Sequence, residues 1–147
     1  MSSLNTNLKY LITIICSLLL TTLSAQEHIK NKYENGKVKE EGALLDGKKE
    51  GEWKFFYDNG KMSAAGYYDK GELDGEWHKY DFDGKLISIE HWKAGLQDGR
   101  QEKLFPDGTI KGKGIMKDGL YIGKWIHFHA NGMERQEGSY VDGMPSG

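Results

Sequence analysis

A chain of 147 residues has room for one domain, and 20 Lys+Arg against 22 Asp+Glu leave a formal charge of only −2. With no basic cluster, nucleic acid is excluded as a natural partner, because phosphate neutralisation dominates that affinity. Anionic membrane surfaces are disfavoured for the same reason. The single cysteine, Cys16, leaves no internal disulfide.

Residues 1–25 differ from the rest. One Lys9 precedes an apolar run over residues 10–23, and small residues Ser24 and Ala25 follow. This is the pattern of a secretory signal peptide, its apolar run being shorter than the roughly 20 residues a membrane span needs. Ile15 in front of Cys16 does not suit lipid attachment. Cleavage after Ala25 would remove the only thiol and export the remainder to the periplasm, the cell envelope or the medium. Residues 26–32 read as a short linker.

From Tyr33 onward the chain repeats itself. Glycines 36, 60, 84, 108 and 132 stand 24 residues apart, and unbroken glycine columns recur at 47, 71, 95, 119 and 143 and at 51, 75, 99, 123 and 147. Glycines at fixed offsets, with aromatic and β-branched residues between them, predict short strands joined by tight turns. The expected fold is all-β: an elongated, single-layer antiparallel meander of about nine strands, spanning residues 33–147 as four full repeats and a partial fifth. Turns are placed near Gly47, Gly60, Gly71, Gly84, Gly95, Gly108, Gly119 and Gly132, with no helix after the leader. Such a sheet encloses no core, so each hairpin relies on its neighbours.

Turn chemistry predicts the register. Asn59-Gly60 fits a two-residue type I′ hairpin, which sets Asp58 against Lys61 and Trp53 against Gly66. Gly47-Lys48 fits a type II′ turn, which sets Asp46 against Lys49 and Gly42 against Trp53. Trp53 is therefore expected between two glycines, where an indole covers backbone that lacks Cβ. The same register puts Leu44, Tyr68, Trp92 and Met116 opposite Gly51, Gly75, Gly99 and Gly123. In the third unit the Gly42 and Trp53 columns become Glu90 and Gln101, two direct partners that change together. Alternation assigns Val38, Gly42, Leu44, Gly51, Trp53, Phe55 and Tyr57 to one face and Lys39, Glu41, Glu50, Glu52 and Lys54 to the other. Phe56, Tyr80, Leu104 and Phe128 fall on the polar side unless a bulge near Gly51 flips them.

The succession Tyr57-Asp-Asn-Gly60-Lys61, then Ala65-Gly66, Lys70-Gly71-Glu72 and Gly75-Glu-Trp77 resembles the MORN repeat in its bacterial variant form. The resemblance covers Tyr33 to Gly147, with the third unit departing at Glu90 and Gln101. It implies stacked hairpins and a non-catalytic role in binding proteins or membranes. Some bacterial relatives carry an antitoxin-like label, which for an exported chain would mean immunity in the envelope.

No residue set outweighs that reading. His127 and His129 share a predicted face with Glu134 opposite His129, but a third or fourth well-placed ligand is missing and His129 occupies the Tyr57 and Phe105 column, so no metal or other cofactor is expected. His78 and His91 fall in separate columns. With no cysteine after residue 25, and with serines there only in repeat positions or near the C-terminus, no nucleophile stands out and no enzyme is expected. The candidate partner-binding residues are Trp53, Phe55, Tyr57, Tyr68, Trp77, Trp92, Trp125, His127 and His129, since exposed Trp and Tyr favour interfaces. The expected function is an exported scaffold for protein–protein interaction, using this aromatic face or the outer edge over residues 133–141. A membrane- or glycan-associated surface protein is the alternative.

Overall fold

A computed structural model describes residues 25–146. The expected leader, apart from Ala25, and Gly147 lie outside the described residues. Eleven strands follow in chain order: β1 (Gln26–Lys32), β2 (Val38–Leu45), β3 (Lys48–Phe56), β4 (Met62–Asp69), β5 (Glu72–Tyr80), β6 (Leu86–Lys93), β7 (Leu96–Leu104), β8 (Ile110–Lys117), β9 (Leu120–Phe128), β10 (Glu134–Val141) and β11 (Met144–Pro145). They form one open antiparallel sheet in which each strand pairs with its chain neighbours. The meander is as expected. The strand number rises from about nine because residues 26–32, read as a linker, form β1 against β2, and β11 adds a short pairing to β10.

Both rows of turns differ from the types assigned to them. At the upper row Tyr57 N–H donates to Lys61 O (2.8 Å) and Gly60 N–H to Tyr57 O (2.9 Å), closing a three-residue loop. Only Gly60 has positive φ there, at 87°, so this is a type I turn followed by a left-handed glycine rather than type I′. Asn59 explains the choice: its Oδ1 accepts from Lys61 N–H (2.8 Å), a side-chain turn that serves the loop without a left-handed asparagine. At the lower row Asp46 and Gly47 both have positive φ, 51° and 77°, giving the two-residue type I′ turn with Leu45 opposite Lys48.

Bulges then restore the register. Near the lower turn Ala43 pairs with Glu50, yet Glu41 pairs with Lys54, so β3 carries two extra residues at Gly51 and Glu52. Near the upper turn Phe56 pairs with Met62 but Phe55 with Ala64, so β4 carries one extra residue at Ser63. Beyond these bulges Trp53 pairs with Gly66 and Glu90 with Gln101, as expected. Closer to the lower turns the expected pairs fail: Leu44 faces Lys49 and Tyr68 faces Leu73. The large residues still meet glycines, on the other neighbour, as Gly51–Tyr68, Gly75–Trp92 and Gly99–Met116.

The core is a seam on one face. Trp53, Trp77, Met116 and Trp125 are buried, and Trp53, Tyr68, Phe55 and Trp77 form a run of ring contacts at 5.6–6.3 Å. Phe56, Tyr80, Leu104 and Phe128 stay on the opposite face. Tyr80 meets the His78 ring there, and Lys113 lies over Phe128. The Gly51 bulge lies upstream of Trp53 and leaves the alternation from Trp53 to Phe56 intact.

Both turn rows are also tied along the sheet. Tyr33 and Tyr57 hydroxyls donate to the carbonyls of Phe56 (2.7 Å) and Tyr80 (2.8 Å) in the next unit. Gly71, Gly95, Gly119 and Gly143 N–H groups donate to carbonyls of the preceding unit at 2.9–3.0 Å. Neighbour-to-neighbour bonding takes the place of an enclosed core.

Candidate functional site

The aromatic face is largely consumed by the sheet itself. A Cβ on Gly42, Gly66 or Gly114 would run into the indole of Trp53, Trp77 or Trp125 respectively. Each indole therefore lies flat on the backbone of the preceding strand. Trp53 Nε1–H donates to Ala43 O (2.9 Å) and Trp125 Nε1–H to Ile115 O (3.0 Å). The buried Trp53, Trp77 and Trp125 consequently hold the sheet together and leave little free ring surface.

The remaining candidates are half-buried or at a turn. Phe55, Tyr57, Tyr68 and Trp92 are half-buried. The surface of the first unit is covered by its own lysine, since Lys49 Nζ lies 4.1 Å from the Trp53 ring centroid, 4.3 Å from Phe55 and 5.4 Å from Tyr68. Glu40 holds that ammonium at 3.0 Å. The Asn31 amide, and then Lys49, overcome partial burial and keep the Glu40 carboxyl below the usual range. Tyr57 packs on Phe82, and Trp92 donates to Glu90.

The histidines do not pair as expected. His127 lies over Gly112, whose Cβ would meet its Nδ1 at 2.8 Å, and His129 is exposed at the turn with its N–H bonded to Met133 O. Glu134 pairs with Phe128 rather than His129 because the upper loop has three residues, not two. His78 and His91 instead share the Glu76 carboxylate. Glu76 Oε1 lies 2.6 Å from His78 Nε2 and its Oε2 lies 3.6 Å from His91 Nε2, while His91 Nδ1–H donates to Arg100 O. Separate columns hid this, although the hairpin register that pairs Glu76 with His91 could have disclosed it. Among the described residues no three His, Cys, Asp or Glu side chains are arranged to hold a metal ion.

The third unit is the chemical exception. Glu90 and Gln101 are buried polar partners where the other units place glycine and tryptophan. Gln101 Nε2–H donates to His91 O at 3.0 Å, and His91 occupies the column of Ala43 and Ile115. The amide thus repeats the indole's anchoring hydrogen bond. Glu90 is bonded by Lys79 (2.8 Å), Ser88 (3.0 Å), Trp92 (3.1 Å) and Gln97 (3.3 Å). Burial pushes its carboxyl up, but the Lys79 ammonium and the Ser88 and Trp92 donors outweigh that and hold it below the usual range.

One exposed feature was missed. Leu96, Leu120 and Met144 follow successive lower-turn glycines at 51%, 46% and 73% exposure. The same column holds Lys48 and Glu72 in the earlier units. Each leucine leans toward the next turn, Leu96 to Gly119 and Leu120 to Gly143, so the three side chains form a row along one rim. The change from charged to apolar residues down that column is the sequence signal for the row.

Two stretches, residues 49–70 and 73–94, match the family model of the MORN repeat variant. The two stretches span most of β3–β4 and β5–β6. Among solved structures, a chain of the "Glycosylation Associate Protein (Gap123) complex from Streptococcus agalactiae" aligns with 76% of this chain and 20% of its own length, at 16% identity and a TM-score of 0.41. No curated protein matches.

Proposed function

We propose that this chain is an exported, non-catalytic scaffold that binds a protein partner along the lower rim of its C-terminal half. The observation that carries the reading is the row Leu96, Leu120, Met144: exposed apolar side chains in register, on a sheet where Trp53, Trp77 and Trp125 are already covered. Contiguous exposed apolar surface marks an interaction site more often than scattered single residues do. Export rests on the leader-like residues 1–25.

The test replaces Leu96, Leu120 and Met144 with Ser together and compares partner recovery after cross-linking in the envelope fraction. Recovery is expected to fall at least about tenfold, the equivalent of about 1.4 kcal/mol, with an unchanged circular dichroism spectrum. Unchanged recovery would contradict the reading. A membrane surface is the second possibility, because Lys93 and Lys117 pair directly with Leu96 and Leu120. Flotation with anionic vesicles, lost in the same triple variant, would favour it over a protein.

A further inference from the structure

The departure at Glu90 and Gln101 leaves space as well as polarity. Gln101 reproduces the indole's hydrogen bond but not its rings, and a pocket of about 150 Å³ opens between it and the next tryptophan, Trp125. That is the volume of about five water molecules. Its floor is the Glu90 carboxylate with the amides of Gln97 and Gln101, and Lys103 stands beside them. One wall is Tyr121, 41% exposed, edge-on to Trp125 at 4.6 Å and tilted against Tyr140 at 5.4 Å.

Buried polar groups cost free energy unless bonded. The sheet does without them at the corresponding place in the other units, where a glycine and an indole close the seam. Here the carboxylate is held from four sides, so its position is set before any ligand arrives. The four neighbours fill the acceptor positions of the Glu90 carboxylate, and Gln101 spends its N–H groups on His91 O and Gly99 O, so the groups left for a ligand are the amide oxygens of Gln97 and Gln101, one Gln97 N–H and the Lys103 ammonium. Together they match a ring of hydroxyl groups, each of which donates and accepts. The exposed Tyr121 ring matches the C–H face of such a ring, an aromatic surface with a polar rim. A few convergent polar groups beside an aromatic wall are what a small-molecule site requires.

We propose that the irregular third repeat is a carbohydrate subsite that seats one pyranose ring against Tyr121 over the Glu90–Gln101 floor. Its position on the tryptophan face separates it from the lower-rim row assigned to a protein partner, and it stands independently of that assignment. The surrounding face is open, so the ring can belong to a longer oligosaccharide.

The test titrates the full chain with soluble tetrasaccharides of glucose, of mannose and of N-acetylglucosamine, following tryptophan fluorescence and heat. At least one is expected to bind with Kd between about 10 μM and about 1 mM. Glu90→Gly combined with Gln101→Trp, which restores the regular pair and fills the pocket, is expected to weaken it at least about tenfold. Tyr121→Ala, at an exposed position, is expected to do the same and keeps the test decidable should the double variant not fold. Tyr67→Phe, at an exposed position outside the pocket lining, should leave affinity unchanged. Absence of binding by all three sugars up to about 10 mM, or wild-type affinity in Tyr121→Ala, overturns the proposal.

Discussion

The first and third units use the same backbone to different ends. In the first, Trp53 lies across Gly42, donates to Ala43 O and is 1% exposed. In the third, Gln101 donates to the equivalent carbonyl, Glu90 stands where glycine would, and four neighbours bind its carboxylate. The hydrogen bond to that carbonyl is therefore the part of the design common to both, whereas the ring over glycine is one of two ways of filling the face. Stability in the first unit comes from apolar burial. In the third the same place is filled by a satisfied polar network.

Removing the central group of each unit should separate these modes. Trp53→Ala deletes a fully buried indole and its hydrogen bond, so urea denaturation is expected to show a loss of about 3–5 kcal/mol. A loss under about 1 kcal/mol would mean that the seam is not what holds the sheet. Gly66→Ala approaches the same seam from the other side. Its Cβ would lie 2.6 Å from Glu76 O and from Trp77 Cε3, and such overpacking is expected to cost about 2–3 kcal/mol by the same measurement.

Gln101→Ala should cost less than either, about 1–2 kcal/mol, because it removes a hydrogen bond and little apolar area. A loss equal to that of Trp53→Ala would erase the distinction between the units. Acid provides the smallest and most selective probe. Glu90 titrates below its ordinary value of 4.5 in the folded chain, so the stability it contributes is fully present above that pH and is lost as pH falls through the lowered folded value. Glu90→Gln should therefore be less stable than wild type at pH 7, and the gap should narrow at pH 3. A gap that widens on acidification would contradict the sign.

Much of this was legible in the sequence because the 24-residue columns carry it. Glycine and tryptophan columns gave the meander, the seating of Trp53 and the pairing of Glu90 with Gln101. Turn types were not legible from dipeptides alone: Asn59 satisfies its loop through a side-chain hydrogen bond, so Gly60 supplies the only left-handed residue in that loop. The upper turn's shift is cancelled at Ser63, which is why a register reached through the wrong turn still placed Trp53 against Gly66, and the lower turn's shift is cancelled at Gly51 and Glu52. Site reading was poorer. Aromatic type suggested availability, but Trp53, Trp77 and Trp125 are covered and Lys49 caps the rings around the first of them. The exposed row at Leu96, Leu120 and Met144 lay in a column whose chemistry changes from charged to apolar halfway along the chain.

The central claim is that the third unit's polar pair serves something other than the fold. Equilibrium unfolding of Glu90→Gly/Gln101→Trp tests it most directly, since the variant installs the pair already present in neighbouring units. Replacing a buried ionic network by a well-packed apolar pair is expected to leave stability unchanged or raise it by about 1 kcal/mol. A loss of more than about 1 kcal/mol, in a variant that retains the wild-type denaturant slope, would show that the sheet itself requires Glu90 and Gln101.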